Sequence, residues 1–386
     1  MKPEKMNPNE EKSTRTRREF LATSAGLAIA TGVAGIPGAA RAAVSSGNRS
    51  LPNRPDAGKP RRIIIDTDPG VDDAMAIFLA LRSPELKVEA ITPVSGNVPL
   101  AMTLPNALRL VEIAGRPDVP VAAGASVPLV RELVTAKYVH GSNGLGGVDF
   151  PEPKVKPVSE TATEIICRLV RSNPGEITIV AIGPLTNIAT VLRSDPEIAK
   201  MIPAIVLMGG GIEHGNITPA AEFNLYVDPE AARIVFDAGI PLTMVGLDVT
   251  EKVLVNESHI QRLRAVQNPV SQAAAKILQA TYDHVKNSNN ITYVAMHDPL
   301  TVASLIDPSL LTFTDYHVDI ETEGEFTAGM TVCWNRAPVR GSAPMAIAGG
   351  AEPEPDMSFH PNAKVATAVE PQKFFDLFIP RLTSNA

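Results

Sequence analysis

The chain has 386 residues, 44% of them hydrophobic, and its 35 basic and 42 acidic side chains give a formal net charge of −7. This composition is typical of a globular protein of enzyme size and excludes the disordered and fibrous classes. The acidic balance argues against nucleic acid as a partner, because phosphate contacts need a basic surface. Two cysteines, Cys167 and Cys333, are too few for a disulfide framework or a cysteine zinc site. Any bound metal ion would therefore need oxygen ligands.

The first 42 residues have the features of an export signal. A polar, basic start leads to Arg17 and Arg18, and a weakly apolar stretch then ends in Ala40-Arg41-Ala42. This order resembles a twin-arginine signal peptide with a small-x-small cleavage site. The alternative is a membrane anchor, but glycine, proline, serine and threonine interrupt the stretch too often for a bilayer span. We therefore expect cleavage after Ala42 and a periplasmic location, with no stable membrane span.

Beyond a flexible linker predicted over residues 43–60, the chain is interpreted as one domain over residues 61–386. Short apolar runs alternate there with helical patterns, which predicts an α/β fold with a mostly parallel central sheet and helices on both faces. Residues 316–321 and 327–334 alternate in polarity and predict a C-terminal antiparallel hairpin. The irregular residues 341–356 predict a surface insertion. The predicted strands lie at 61–65, 88–94, 177–182, 204–208 and 242–245, and the predicted helices at 74–81, 100–114, 185–192 and 229–238.

An acidic turn follows the first predicted strand. The sequence Asp66-Thr67-Asp68-Pro69-Gly70-Val71-Asp72-Asp73 places four carboxylates within eight residues. Helix capping accounts for one or two of them, since Asp at a helix start accepts backbone N–H bonds. Four like charges in one turn repel each other unless a cation lies among them or protons are taken up. Calcium binds carboxylate and carbonyl oxygens, so the turn predicts a metal site.

Three further polar segments are predicted at strand ends: Ser95-Gly96-Asn97, residues 216–224, and His297-Asp298. Ligand sites in α/β sheets lie at the carboxyl ends of the strands. We therefore expect these segments and the acidic turn to form one polar, acidic pocket.

These motifs resemble, in type and order, the inosine-uridine-preferring nucleoside hydrolase family. The resemblance runs from about Arg62 to the C-terminal helix and implies cleavage of the N-glycosidic bond of inosine- or uridine-type ribonucleosides to free base and ribose. We also expect a homo-oligomer, a dimer or a tetramer. Besides the acidic turn, the resemblance is carried by His140-Gly141-Ser142-Asn143-Gly144-Leu145-Gly146-Gly147, Gly183-Pro184-Leu185-Thr186-Asn187, Met208-Gly209-Gly210, Glu222-Phe223-Asn224 and His297-Asp298-Pro299-Leu300.

The resemblance also implies roles for individual residues. Its calcium ion would be held by Asp68, Asp73, Asp298 and the backbone carbonyl of Ile182, with Asp68 also the general base that deprotonates the attacking water. The substrate ribose would be bound at its 2′-hydroxyl by Asp72, at its 3′-hydroxyl by Asn224, and at its 5′ end by Asn216 and Glu222. Asn97 would orient the site, and Asp66 would support it from behind.

Two histidines have alternative interpretations. His140 is either an exposed loop residue or a residue that faces the substrate. His297 either caps the helix that follows it or, as the family resemblance implies, assists departure of the nucleobase.

Purine-specific relatives stack the base between tryptophans, whereas this chain has only Trp334, so we expect broad specificity that covers inosine and uridine. Asn187 is interpreted as a structural residue of a turn or helix start.

An alternative function is a periplasmic nucleoside or pentose binding protein without turnover. Such a protein would have no need of Asp68 as a base, so the intact acidic turn favours the enzyme. A phosphoryl-transfer enzyme is a third possibility, but the sequence offers no convincing lysine for a phosphate cradle.

The export signal generates the first prediction. Substituting Arg17→Lys together with Arg18→Lys should leave full-length protein in the cytoplasm, because the paired arginines precede the apolar stretch and its cleavage site. Cell fractionation and N-terminal sequencing check this: the wild-type exported form should begin near Ala43. Normal export of the double variant would contradict the assignment.

Overall fold

The computed structural model describes residues 58–336 and 359–384. The predicted export signal, most of the predicted linker and the predicted insertion at 341–356 lie outside the described residues. The described strands are β1 (Arg61–Thr67), β2 (Leu86–Pro93), β3 (Ile177–Ala181), β4 (Ile205–Met208), β5 (Leu242–Val245), β6 (Leu254–Val255), β7 (Val294–Ala295), β8 (Leu311–Ile320), β9 (Thr331–Trp334) and β10 (Ala363–Val369).

Eight of these strands form one sheet in the order β2-β1-β3-β4-β5-β10-β8-β9, and β6 pairs with β7 in a separate two-stranded antiparallel sheet. Neighbouring strands from β2 to β10 run parallel, whereas β8 is antiparallel to both β10 and β9. The predicted mostly parallel sheet and the antiparallel hairpin are therefore confirmed.

Helices cover both faces of the large sheet, which leaves its central strands buried on both sides. In β1, Ile63 and Ile65 pack into one apolar core and Ile64 into the other. Every residue of the first helix is buried. The described α-helices are α1 (Val71–Leu81), α2 (Leu100–Ile113), α3 (Lys137–His140), α4 (Ala162–Ser172), α5 (Thr186–Ser194), α6 (Phe223–Val227), α7 (Pro229–Phe236), α8 (Leu247–Thr250), α9 (Glu257–Arg264), α10 (Pro269–Asn289), α11 (His297–Ile306) and α12 (Pro371–Thr383).

The hairpin joins the sheet through a strand that the sequence analysis did not predict. Strand β10 pairs in parallel with β5, where Ala363 lies opposite Leu242, and antiparallel with β8, where Ala363 lies opposite Tyr316. Its sequence of alanines, valines, Lys364 and Thr367 has no strong apolar run, so its partners rather than its own pattern define it as a strand.

Across the residues that the structure describes, no helix has both the length and the apolar character needed to cross a lipid bilayer.

Candidate active site

The acidic turn connects β1 to α1 at the carboxyl edge of the sheet. The Asp73 carboxylate accepts hydrogen bonds from the Thr67 hydroxyl at 2.6 Å and from the Gly70 backbone N–H at 2.9 Å. Asp73 thus closes the turn and supports the helix start, so the capping interpretation is confirmed for this one carboxylate. The same hydrogen bonds fix its position at the floor of the site.

Asp68 is fully buried and has one unused oxygen. Its Oδ2 accepts the backbone N–H of Asn97 at 2.6 Å, whereas its Oδ1 has no hydrogen-bond partner among the described residues. A Cβ added at Gly183 would lie 2.6 Å from Oδ1, and one added at Gly96 would collide with Oδ2. Gly96 follows β2 and Gly183 follows β3, the two strands that flank β1. Because neither glycine has a side chain, both loops can pack directly against the Asp68 carboxylate. A buried carboxylate oxygen without a protein partner fits a position that binds a cation, because burying it unpaired is costly.

Three other carboxylates are grouped tightly enough to hold a metal ion. One oxygen each of Asp72, Asp73 and Asp298 lies within 4.8 Å of the others, and all three residues are buried. Asp298 lies at the start of α11, shortly after β7, so the strand end predicted here belongs to the small sheet rather than to the large one. The Asp68 charge also acts on Asp298, and the Ile182 carbonyl lies within reach of the Asn224 side chain, at 3.4 Å from Nδ2. These anionic oxygen donors fit a hard divalent cation.

Burial and mutual repulsion raise the pKa values of these carboxylates. Burial raises the pKa of Asp72 to about 6, and burial together with the Asp72 charge raises the pKa of Asp73 to about 6. Burial first, then the neighbouring Asp73, raises the pKa of Asp68 well above its usual range. For Asp298 the causes are again burial and then the charges of its neighbours. A bound cation would offset the charge repulsion that adds to burial in raising the pKa values of Asp68, Asp73 and Asp298.

A cavity of about 300 Å³ opens above the carboxylates. That volume suits a small-molecule ligand of nucleoside size. Asp68 and Asp73 lie behind the cavity wall, whereas the other predicted site residues form part of its lining. Those lining residues are Asp72, Asn97, His140, Ile182, Asn216, Glu222, Asn224, His297 and Asp298.

The polar side chains that follow β4 are held in place before any ligand arrives. Glu222 accepts backbone N–H bonds from Gly210 and Asn224, at 3.0 and 2.9 Å, and burial raises its pKa to about 7. Asn224 donates through Nδ2 to the Met208 carbonyl at 3.2 Å. Asn216, at the exposed rim, accepts the Phe223 N–H through Oδ1 at 2.9 Å. The loop therefore presents a preformed set of polar groups.

His140 is buried, so its interpretation as an exposed loop residue is wrong. It is the last residue of α3, and its Nδ1 accepts the Val71 backbone N–H at 3.0 Å. Burial lowers its pKa to about 3. A neutral ring that accepts at Nδ1 carries its hydrogen on Nε2, so His140 contributes a hydrogen-bond donor to the cavity wall.

His297 begins α11 but does not cap it through its side chain. Its Nδ1 lies 2.8 Å from the hydroxyl of Thr250, and burial lowers its pKa to about 4. The ring lines the cavity beside Tyr293, which is 43% exposed. Tyr282 is not part of the cavity lining and packs in the core at 5% exposure.

Asn187 is a structural bridge behind the acidic turn. Its Nδ2 donates to Asp66 Oδ2 at 2.8 Å, and its Oδ1 accepts the Ala125 N–H at 2.8 Å. Asp66 is itself buried and has a pKa raised to about 7 by burial. The side chains of Asn187 and Asp66 connect β1 to α5 and to the loop after β2 by hydrogen bonds, and neither side chain lines the cavity.

The sequence analysis missed several residues of the cavity wall because no motif contains them. Tyr138 in α3 and Thr281 and Val285 in α10 line it, and the helical spacing of the latter two was the available signal. Thr250 was also missed, since a single threonine at the end of a short helix has no sequence signature.

The fold and the site together define an α/β enzyme with an acidic, oxygen-rich small-molecule pocket. Residues 63–376 match the family model described as inosine-uridine preferring nucleoside hydrolase. The chain therefore belongs to this family and is a nucleoside hydrolase that acts on ribonucleosides.

Similar proteins agree with this assignment. The chain is 45% identical over 325 residues to the pyrimidine-specific ribonucleoside hydrolase RihA of Salmonella gallinarum, which covers 83% of this chain and 97% of the relative. Among solved structures, the plant nucleoside hydrolase PpNRh1 matches with a TM-score of 0.77 at 37% identity, over 84% of this chain and 99% of that one. A purine-preferring ribonucleoside hydrolase from Gardnerella vaginalis matches with a TM-score of 0.74 at 31% identity, over 84% and 98%.

The crowded carboxylates generate a prediction about stability. Chelating divalent metal should lower the Tm by about 10 °C, and added Ca²⁺ should restore it, since a ligand that binds only the folded state stabilises it by mass action. Asp298→Asn should weaken this response. Asp237→Asn, which changes an exposed carboxylate at the end of α7, is the matched control and should keep it. A Tm that is the same with chelator and with calcium would contradict a metal site here.

Proposed function

We propose that the chain is an exported, Ca²⁺-dependent ribonucleoside hydrolase that releases the free base and ribose from uridine- and inosine-type nucleosides. The observation that carries the proposal is the convergence of buried carboxylates beneath a cavity of about 300 Å³. The same residues argue against a binding protein without turnover, because a binder gains nothing from the costly burial of Asp68.

Calcium would be held by Asp68, Asp73, Asp298 and the Ile182 carbonyl, with Asp72 close enough to share the site. When bound, the ion would orient the ribose diol and make a water molecule easier to deprotonate. The unpartnered Oδ1 of Asp68 supports this assignment, since it is the one oxygen of that carboxylate left available to a ligand.

The protein side chains then have distinct roles in the reaction. Asp72 and Asn224 bind the 2′- and 3′-hydroxyls, and Asn216 and Glu222 bind the 5′ end. Asp68 accepts a proton from the attacking water while the water oxygen bonds to C1′ of the ribose. The C1′–N bond breaks, and its electron pair leaves with the base. Asn97 holds Asp68 in position through the backbone N–H bond at 2.6 Å.

The charge of the pocket suits this reaction. Cleavage passes through a ribosyl group with oxocarbenium character, so negative charge close to C1′ stabilises the transition state. Among the described residues, the cavity lining includes carboxylates but neither lysine nor arginine. Apart from the metal, no cation in this wall would oppose the developing positive charge.

The nucleobase would lie toward the less polar wall. His297 and Tyr293 lie there with Val285 and Ile291, and His297 would donate a hydrogen bond to the departing base. Trp334 lies in β9, packed against His317, and is not part of the cavity lining. Pyrimidine nucleosides are proposed as the better substrates, with inosine also accepted, because the 45% identical relative is named as pyrimidine-specific.

Export and assembly complete the proposal. The family match begins at residue 63, which leaves the twin-arginine-like segment and linker ahead of the hydrolase domain. A dimer or tetramer is the proposed assembly.

The general base generates a prediction. Asp68→Asn should lower kcat for uridine by roughly 10²–10⁴-fold, the usual contribution of one acid-base group. Free uracil is measured by chromatography, and Asp237→Asn serves as the control with an exposed carboxylate changed in the same way. Near-normal turnover by the metal-loaded Asp68 variant would assign the base to another residue. If the wild-type protein binds uridine but releases no uracil, the binding-protein alternative holds.

The leaving group generates another prediction. His297→Ala should depress hydrolysis of inosine and uridine by about 10²-fold or more. It should affect p-nitrophenyl riboside far less, because p-nitrophenolate departs without a hydrogen-bond donor. Equal losses on all three substrates would show that His297 serves structure rather than departure of the base.

A further inference from the structure

Thr250 contacts His297 where backbone hydrogen bonds hold the end of α8 against the start of α11. Thr250 is the last residue of α8, just after the carboxyl end of β5, and it is completely buried. In the small sheet, Leu254 of β6 pairs with Ala295 of β7. The Met296 N–H also donates to the Val253 carbonyl at 2.9 Å. These backbone bonds bring the start of α11 to the end of α8, where the Thr250 hydroxyl lies 2.8 Å from Nδ1 of His297.

The surroundings of the Thr250 hydroxyl indicate which atom donates. Thr190 and Thr281 also lie within helices, and their hydroxyls donate to the carbonyls four residues earlier, at 2.7 and 3.0 Å. For the Thr250 hydroxyl, the described residues offer a single hydrogen-bond partner, which is Nδ1 of His297. A buried hydroxyl donates its hydrogen where an acceptor is available. On this ground we assign Nδ1 as the acceptor, and a neutral ring that accepts at Nδ1 carries its hydrogen on Nε2.

We propose that Thr250 is a positioning residue that holds His297 in the tautomer with its hydrogen on Nε2, the nitrogen left to face the nucleobase. This inference rests on the proposed role of His297 in departure of the base. In that tautomer, Nε2–H donates to the base as the C1′–N electron pair moves onto it. In the opposite tautomer, a lone pair on Nε2 would face the same growing negative charge and oppose departure.

A kinetic test uses nearly isosteric variants in the calcium-loaded enzyme. Thr250→Val should lower kcat for uridine about tenfold, the value of one hydrogen bond, with little change in KM. The loss on p-nitrophenyl riboside should be clearly smaller. Thr250→Ser keeps the hydroxyl and should restore uridine turnover. Equal losses on both substrates, or no rescue by serine, would overturn the proposal.

Thr301→Val is the matched control. Thr301 lies in α11, the helix that begins with His297, and its buried hydroxyl has no hydrogen-bond partner among the described residues. The same substitution there removes a buried hydroxyl without touching the imidazole, so it should leave the ratio of the two activities unchanged. A Thr250→Val enzyme that behaves like Thr301→Val would contradict a positioning role.

A spectroscopic test reads the tautomer directly. In enzyme labelled with ¹⁵N-histidine, the signals that disappear in His297→Ala belong to His297. They should show a protonated Nε2 and an unprotonated Nδ1 in the wild type, and a mixture or the opposite form in Thr250→Val. An unchanged tautomer in Thr250→Val would overturn the proposal whatever the kinetics show.

The two proposals fail separately. If His297→Ala loses activity equally on uridine and on p-nitrophenyl riboside, the leaving-group role fails, and the ¹⁵N signals still decide whether Thr250 sets the tautomer. If His297→Ala is selective and Thr250→Val is not, only the Thr250 inference fails. The double variant should lose no more uridine activity than His297→Ala alone, because the hydroxyl acts through the imidazole.

Discussion

Repulsion among buried carboxylates is the constraint on which the rest of this site depends. The acidic turn and the start of α11 place Asp72, Asp73 and Asp298 oxygens within 4.8 Å of one another, with Asp68 buried beside them. Burial raises the pKa values of all four, and repulsion from neighbouring carboxylates adds to the rise for Asp68, Asp73 and Asp298. A cation among these carboxylates would favour their ionised forms and lower their pKa values. We therefore expect metal binding and stability to be coupled in this protein.

The surrounding residues hold these charges in place without neutralising them. Backbone N–H groups and neutral side chains make the supporting bonds: the Asn97 and Gly70 N–H groups and the Thr67 hydroxyl donate to Asp68 or Asp73. The two histidines of the wall have pKa values lowered by burial, so they supply hydrogen-bond donors rather than positive charge. The pocket thus keeps its negative charge for a reaction whose transition state is positive on the sugar.

The local parts of this arrangement could be predicted from the sequence, and the long-range parts could not. The strand, acidic turn and helix from β1 to α1 are contiguous, so composition and spacing predicted the fold there and the grouping of its carboxylates. Strand β10 was missed because it is defined by its partners β5 and β8 rather than by its own apolar pattern. His140 accepts a hydrogen bond from the backbone N–H of Val71, which lies 69 residues away in the chain. Thr250 likewise gains its significance only when the β6 and β7 pair brings His297 to it.

We propose that this acidic pocket, with calcium bound, hydrolyses ribonucleosides. The measurement that tests this is the yield of free uracil and of free ribose from uridine. It is made on the metal-loaded protein, on the same protein after chelation, and again after calcium is returned. We expect stoichiometric base and ribose from the loaded enzyme, little product after chelation, and recovery with calcium. Full turnover by protein shown by elemental analysis to contain no divalent metal would contradict it.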